Sequence, residues 1–233
     1  AGGSASSNSN GSITSSVSVS TDAGFSIVSY TGTASNATVG HGLGSVPSWI
    51  VIKGRNQTED WTTYHASTGN TKNVILNSAA AADTHSTYWQ DTSPTSSVFY
   101  LGSSTRPNNN GTNYIAYCFA EKKGYSKFGS YTGNDNTDGT FVYTGFKPAW
   151  VMAKRTDATN YWFILDNKRT QSSGGNPIDQ ELYANAADAE NNQVRFDFCA
   201  NGFKNKAASA GSNGSSASYI YMAFAESPFV NSK

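Results

Sequence analysis

The sequence predicts an all-β protein, a tandem duplication of an antiparallel, jelly-roll-like β-sandwich with short helical turns only. Three observations predict this class. Short apolar or alternating runs are separated by turn-forming residues every roughly 8 to 12 residues, as in sandwiches and barrels. No helical periodicity is sustained along the chain. Two long stretches also occur twice.

The repeated stretches define two copies. Residues 46–53 (VPSWIVIK) match 147–154 (KPAWVMAK), an offset of 101 residues between Pro47 and Pro148. Residues 113–121 (NYIAYCFAE) match 218–226 (SYIYMAFAE), an offset of 105 residues between Tyr114 and Tyr219. Such a period is far above the roughly 20 to 50 residues of solenoid repeats, so each copy is large enough for a small domain. The predicted organisation is a linker and edge strand at 1–23 and sandwich repeats at 24–123 and 124–233. Whether the repeats form one sandwich or two stays open.

Composition limits the function classes. Only 14% of the 233 residues are charged, 13% are aromatic, and the formal net charge is zero. A nucleic-acid-binding protein normally carries a basic excess, so nucleic acid is not an expected partner. No apolar run approaches the roughly 18 residues of a membrane span, and the N-terminus lacks a basic-plus-apolar signal pattern, so no membrane insertion is expected.

The first copy reads as a series of short strands. The segment 1–23 precedes the first copy. Its first dozen residues are rich in Ser, Gly and Asn, which is typical of a flexible linker. From Ile13 onward, Val17 and Val19 alternate with serine, which indicates one edge strand. The run at 49–53 (WIVIK) has the β-branching of a buried strand. Further strands are expected at 25–30, 60–65, 73–76, 98–101 and 114–121, with a strand piece at 88–89.

The second copy repeats this pattern. Strands are expected at 141–143, 148–154, 161–165, 178–183, 194–198, 202–204 and 219–226. The alanine-rich runs at 78–83 and 185–190 are predicted to form helical turns. Neither run is long enough for a stable helix on its own.

Residues with chemical potential are few. Cys118 corresponds to Ala223 in the second copy, which excludes a disulfide shared by both copies and leaves two buried free thiols or a Cys118–Cys199 bridge. No metal-binding spacing of His and Cys is present, and no nucleophile elbow. Glu121 and Glu226 are the copy-matched carboxylates and read as strand ends. Neither an enzyme, a cofactor nor a metal site is therefore expected.

Aromatic and loop residues supply the candidate contact site. Tyr88 and Trp89 have no partner in the second copy, so they either pack internally or form an exposed shelf on which a sugar ring could stack. The polar loop at 106–111 is a second candidate surface, because recognition residues concentrate on loops. The candidate residues for contact with a glycan or receptor are Tyr88, Trp89, Arg106, Asn108, Asn109 and Asn110.

Several runs resemble a known family. They include GFSIVSYTGT (24–33), HGLGSVPSWIVIK (41–53), NYIAYCFAEKKGYSKFGSYTGN (113–134), GTFVYTGFKPAWVMAKR (139–155) and YIYMAFAESPF (219–229). Together they are similar to a domain of tailed-phage virion proteins, frequent in marine and cyanobacterial phages, that ends large fibre or appendage proteins. The resemblance covers about residues 24–229 and implies an exposed structural module of the virion without catalytic residues.

The expected function is accordingly a tail-fibre or receptor-binding module. It would be assembled in the host cytoplasm as a homo-oligomer with other virion proteins and exposed on the particle, where its loops would contact a host-surface glycan or protein. The alternatives are a capsid decoration or head-fibre protein that binds the shell, and a free carbohydrate-binding module.

Overall fold

A computed structural model describes residues 3–171 and 175–229 of the chain. These residues form eighteen β-strands and two helices of four residues each, which confirms the all-β, sandwich-like class. The first half contains β1 (Ser6–Asn8), β2 (Ser15–Ser20), β3 (Phe25–Thr31), β4 (Ala37–Gly40), β5 (Trp49–Gly54), β6 (Thr62–His65), β7 (Lys72–Ile75), β8 (Asp83–Thr84), α1 (Ser86–Trp89), β9 (Val98–Leu101), α2 (Thr105–Asn108) and β10 (Asn113–Phe119). The second half contains β11 (Ser126–Thr132), β12 (Phe141–Tyr143), β13 (Pro148–Arg155), β14 (Trp162–Asp166), β15 (Ile178–Tyr183), β16 (Asn191–Cys199), β17 (Gly202–Asn205) and β18 (Ser218–Ala225).

The chain divides into two compact units. The first comprises Ala1–Leu76 and Ala82–Lys122, and the second comprises Asn77–Ala81 and Lys123–Lys233. The short segment Asn77–Ala81 belongs to the second unit although it lies within the first half of the sequence. Its Ala79 carbonyl accepts a hydrogen bond from the backbone N–H of Asn160 at 2.8 Å.

The first unit is a sheet covered by a small second sheet. Its main sheet has the strand order β1-β2-β3-β10-β5-β6-β7-β8, and β4 pairs with β9 separately. Alternate residues of β3 are buried, because one face of the sheet packs on the core. Val28 and Ile50 of the main sheet and Val39 and Phe99 of the small sheet belong to one buried apolar cluster. This unit therefore has its own two-layered core.

The second unit is built from one curled sheet. Its strand order is β11-β18-β13-β14-β15-β16-β17-β12. Tyr131 of β11, at one edge, lies 6.0 Å (ring centroids) from Phe203 of β17, which is next to the other edge. The sheet thus approaches a closed barrel around a separate cluster that includes Phe163, Phe196 and Tyr219.

The two units repeat the same strand register. In the first, Tyr114 of β10 lies opposite Gly54 of β5, and in the second, Tyr219 of β18 lies opposite Arg155 of β13. These pairs are related by the offsets of 101 and 105 residues that the sequence shows. The duplicated sequence therefore encodes a duplicated pairing of strands.

Several local expectations are corrected. Ser6–Asn8 pairs with β2 and forms the edge strand β1, where a flexible linker was expected. The alanine-rich run at 78–83 is not helical, and neither is the run at 185–190; the helical turns are α1 and α2 instead. Residues 1–2 of the predicted linker and 172–174 and 230–233 of the predicted second repeat lie outside the described residues.

Two further features concern the thiols and the helices. Cys118 is a buried free thiol as predicted, whereas Cys199 is free but only half-buried. Neither helix in the described part of the chain has the length or apolar character that a membrane-spanning helix requires.

Candidate functional site

The predicted aromatic shelf is not on the surface. Tyr88 and Trp89 lie in α1 and are only 5% and 2% exposed, as members of the core of the first unit. The Trp89 ring packs edge-on against Tyr64 at 5.8 Å, and its indole N–H donates to the carbonyl of Lys72 at 3.0 Å. Burial with a satisfied N–H is the ordinary role of a core tryptophan. The expectation of an exposed stacking surface at this position was wrong, and the packing alternative is confirmed.

Arg106 is held by the same structure. Its Nη1 donates to the Tyr88 hydroxyl at 2.8 Å, and its guanidinium lies 3.5 Å from the carboxylate of Glu59 and 3.3 Å from that of Asp60. Two nearby carboxylates already compensate its charge. Arg106 therefore joins α1, α2 and the loop after β5, and it is poorly placed to meet an anionic partner.

Asn108 is completely buried and acts as a loop anchor. Its Oδ1 accepts from the backbone N–H of Thr33 at 2.8 Å, and its Nδ2 donates to the carbonyls of Ser35 and Gly102, each at 2.7 Å. Since a buried amide must satisfy its polar atoms, these three bonds fix the loop after β3 to the segment before β10.

The remaining two asparagines differ from Asn108. The backbone N–H of Asn109 donates to the Tyr114 hydroxyl at 2.7 Å, and its side chain bonds Thr112, so it also belongs to the loop structure. Asn110 is exposed. The structure therefore brings five of the six candidates together as supporting residues, and leaves Asn110 alone on the surface.

The loop anchor is duplicated. Asn213 is buried in the second unit, where its Oδ1 accepts from the N–H of Asn134 at 3.1 Å and its Nδ2 donates to the carbonyls of Asn136 and Ala207. Asn108 and Asn213 are separated by the same 105 residues as Tyr114 and Tyr219. This shared offset is the sequence signal that could have identified both asparagines as structural.

Stacked tyrosines accompany each anchor. Tyr30 stacks on Tyr114 with ring centroids 5.1 Å apart, and Tyr131 stacks on Tyr219 at 4.8 Å. The Tyr30 hydroxyl donates to the carbonyl of Pro107 at 2.6 Å, and that of Tyr131 to the carbonyl of Ser212 at 2.8 Å. Burial raises the pKa of Tyr30 and Tyr131 well above the usual value for tyrosine, because a phenolate would lose its hydration there.

A polar groove in the first unit is the better candidate site. It has a volume of about 380 Å³ and lies at one end of the main sheet. Its lining residues come from β1, β2, β3 and β10 and from the residues next to β2 and β5: Ser7, Thr14, Ser15, Ser16, Ser29, Tyr30, Thr31, Arg55, Asn113 and Tyr114. We call this feature the groove.

Strand register explains why small polar side chains meet there. Ser7 lies opposite Ser16, and Ser16 opposite Ser29, so the three hydroxyls form one row across β1, β2 and β3. Thr31 lies opposite Asn113 in the next row on the same face, two residues along β3. This face is the one opposite Val28 and the core, since residues alternate between the faces of a sheet.

Arg55 extends the second row. Its backbone N–H donates to the carbonyl of Asn113 at 2.7 Å, directly after the end of β5. The side chain is exposed, and within the described residues it forms no ion pair. No carboxylate lines the groove, so Arg55 is its only formal charge at neutral pH.

The strand arrangement that forms the groove is not repeated in the described part of the second unit. The wall of the groove is the β1–β2 hairpin, and β11, the equivalent of β3, is an edge strand in the described part of the second sheet. The positions that correspond to Arg55 and Asn113 are Thr156 and Ser218. A site at this position therefore distinguishes the first unit from the second.

The groove can form hydrogen bonds and one ion pair with a ligand. The groove offers hydroxyl groups, an amide and one guanidinium. Elsewhere in residues 3–171 and 175–229, no group of three or more His, Cys, Asp or Glu side chains has the geometry to hold a metal ion. Sequence reasoning missed the groove because its residues lie on five chain segments, in Ser- and Thr-rich stretches where no single residue is unusual.

Comparison with known proteins gives a family without an assigned role. No curated protein and no solved structure matches the chain. A family model matches residues 1–228, which is nearly the whole chain. The chain therefore belongs to the family described as "Domain of unknown function (DUF7483)".

Proposed function

We propose that the chain is an exposed module of a tailed-phage particle that contacts the host surface through the groove of the first unit. The proposal rests on two supports. The long sequence runs resemble virion proteins of tailed phages, and the groove is a polar concavity beside a hairpin that the described part of the second unit does not repeat.

The groove is the observation that carries the binding role. Most of its lining residues lie on hydrogen-bonded strands, so the backbone that carries them is in place before a ligand arrives. A preorganised polar surface loses little conformational entropy on binding, which favours recognition of a hydroxylated surface ligand. The buried residues around Tyr88 and Asn108 would support the unit without touching the ligand.

The test compares groove-blocked and control proteins. We expect Ser29→Tyr, which places a ring on the groove floor, to lower binding to a host envelope fraction by at least about tenfold. Ser130→Tyr changes the corresponding position of β11 in the second unit and should leave binding intact. Circular dichroism and thermal unfolding of both variants show whether each is folded. Equal binding by the wild-type protein and folded Ser29→Tyr would contradict the role of the groove.

The location on the particle is tested separately. Quantitative mass spectrometry of purified particles, against the major capsid protein, gives the copy number. A few to a few tens of copies would support a tail fibre, whereas hundreds would support the alternative of a capsid decoration or head-fibre protein. Absence from particles would refute both virion roles and leave a free carbohydrate-binding module.

A further inference from the structure

We infer that the groove binds an acidic saccharide, with a carboxylate of the sugar paired to the guanidinium of Arg55 and sugar hydroxyls bonded to the serine and threonine rows. This inference rests on the proposed function and adds the chemical class of the ligand to it.

Arg55 determines the charge of the ligand. It is the one charged residue of the groove lining, and none of its nine neighbours there is an acid. Arg106, by contrast, is already compensated by Glu59 and Asp60. An arginine fork can bond both oxygens of a carboxylate, and such charge-assisted pairs are stronger than neutral hydrogen bonds. A neutral ligand would leave this guanidinium without a counter-charge.

The hydroxyl rows determine that the ligand is polyhydroxylated. The hydroxyls of Ser7, Ser16 and Ser29 form no hydrogen bond within the described residues, so each can donate to a ligand and accept from it. Neighbouring strands are about 4.8 Å apart, which spreads these hydroxyls over about 10 Å. A chain of sugar rings presents hydroxyl groups over a comparable length.

Asn113 adds a directed donor. Its Oδ1 already accepts from the Thr31 hydroxyl at 3.1 Å, and this bond leaves its Nδ2 to donate to the ligand. Asn113 also lies beside Arg55 in the same row, through the backbone bond of 2.7 Å. A carboxylate at Arg55 would therefore lie next to an amide donor, and the sugar hydroxyls would extend toward β1.

A single cation argues against a polyanionic ligand. Nucleic acids and phosphate-rich polymers are held by several Lys and Arg side chains, each of which neutralises a phosphate. The groove supplies one cation and several hydroxyls, and the whole chain has zero formal net charge. This balance fits one carboxylate per few sugar rings.

The experiment uses acidic saccharides with their neutral counterparts as probes. 3′-Sialyllactose and 6′-sialyllactose, each of which carries a single carboxylate, are compared with lactose by isothermal titration calorimetry on the full chain. We expect at least one acidic probe to bind at least about tenfold more tightly than its neutral counterpart, since bonds to charged groups contribute about 1.5 to 3 kcal/mol. Arg55→Ala should remove this preference, and Arg55→Lys should keep only part of it because lysine lacks the planar fork.

Matched controls locate the effect. Thr156→Ala alters the equivalent position of the second unit, and Lys168→Ala removes an exposed cation from that unit; neither should change binding. Equal binding of acidic and neutral probes, no binding of any acidic probe, or an unchanged preference in folded Arg55→Ala would overturn the inference. If Ser29→Tyr lowers host-envelope binding while Arg55→Ala does not, the proposed function stands and the acidic-saccharide inference fails. If neither variant lowers host binding, the proposed function itself fails.

Discussion

At the scale of single residues, buried polar side chains hold the loops that the strands leave irregular. Asn108 and Asn213 each join the loop after one strand to the segment before another through one fully buried amide, with three hydrogen bonds at Asn108 and four at Asn213. Buried amides of this kind contribute stability only while every partner is present, because each unpaired group costs its full desolvation energy.

Replacing the anchor of the first unit should destabilise it strongly. Asn108→Ala removes three buried hydrogen bonds and leaves the N–H of Thr33 and the carbonyls of Ser35 and Gly102 without this partner. We expect a loss of about 3 kcal/mol in the free energy of unfolding, measured by urea denaturation. The matched control is the exposed neighbour Asn110, whose change to alanine should cost less than about 0.5 kcal/mol. Similar losses in both variants would show that Asn108 is not an anchor.

The two thiols should differ in reactivity. Cys118 is completely buried, and burial raises the pKa of its thiol to about 12, so almost no thiolate is present at pH 8. Cys199 is half-buried; loss of hydration raises the pKa of its thiol too, and Asp197 adds to the rise. We expect a disulfide reagent to modify Cys199 at least about a hundredfold faster than Cys118 in the native protein. Cys199→Ser should abolish the faster phase, and modification of both thiols at one rate would contradict the assignment.

At the scale of elements, β15 and β16 are joined by an ion pair inside the second unit. Glu181 of β15 is fully buried, and its carboxylate accepts from Nε of Arg195 at 2.7 Å and from Nη2 at 3.1 Å. The Tyr183 hydroxyl donates to the same carboxylate at 2.5 Å. A pair of this kind is costly to break from one side, because the partner charge stays buried.

Single and double replacements should therefore behave differently. We expect Arg195→Met to lower the free energy of unfolding by about 3 to 5 kcal/mol, since it leaves the Glu181 carboxylate uncompensated. The double variant Glu181→Leu/Arg195→Met should recover much of that loss, because no buried charge remains. Chemical denaturation of the two single variants and the double variant forms a thermodynamic cycle. A double variant that loses the sum of the single losses would refute coupling between the two side chains.

The sequence predicted those features that follow from the pattern of residues along one strand. It did not predict those that depend on contacts between distant segments. The offsets of 101 and 105 residues predicted the duplication, and residue alternation predicted most of the strands, because both are visible in the sequence itself, whereas the pairing of β3 with β10 and of β10 with β5 was not predicted. The burial of Tyr88 could not be read from its neighbours, since it depends on contacts with distant segments such as β9. The groove was not predicted for the same reason. No sequence motif marks Ser7, Ser29 or Arg55, and these residues become neighbours only through pairing of the strands.

At the scale of the whole molecule, each unit has its own apolar core, and one short segment departs from the order of the sequence. Asn77–Ala81 lies between β7 and β8 along the chain but is part of the second unit. Its Ala79 carbonyl accepts from the N–H of Asn160 and from Nζ of Lys154, the latter at 3.2 Å. Lys154 also donates to the carbonyl of Arg155 at 2.6 Å and is completely buried. The amino group of Lys154 is thus enclosed within the second unit, between this segment and the end of β13.

The pH dependence of stability should reveal this enclosed lysine. Burial, followed by the nearby charge of Arg155, lowers the pKa of Lys154 from 10.5 to about 8 and outweighs the opposite effect of Asp157. The unfolded chain therefore binds a proton at this lysine between about pH 8 and 10.5 that the folded chain does not, so the contribution of Lys154 to stability rises with pH across this window. Lys154→Met abolishes this titration. We expect the stability of the variant relative to the wild type to be about 2 kcal/mol more favourable at pH 7 than at pH 9.5. Urea unfolding at both pH values measures the difference, from which titrations common to both proteins cancel. A constant difference between the two pH values would show that Lys154 is ionised in the folded protein as readily as in the unfolded chain.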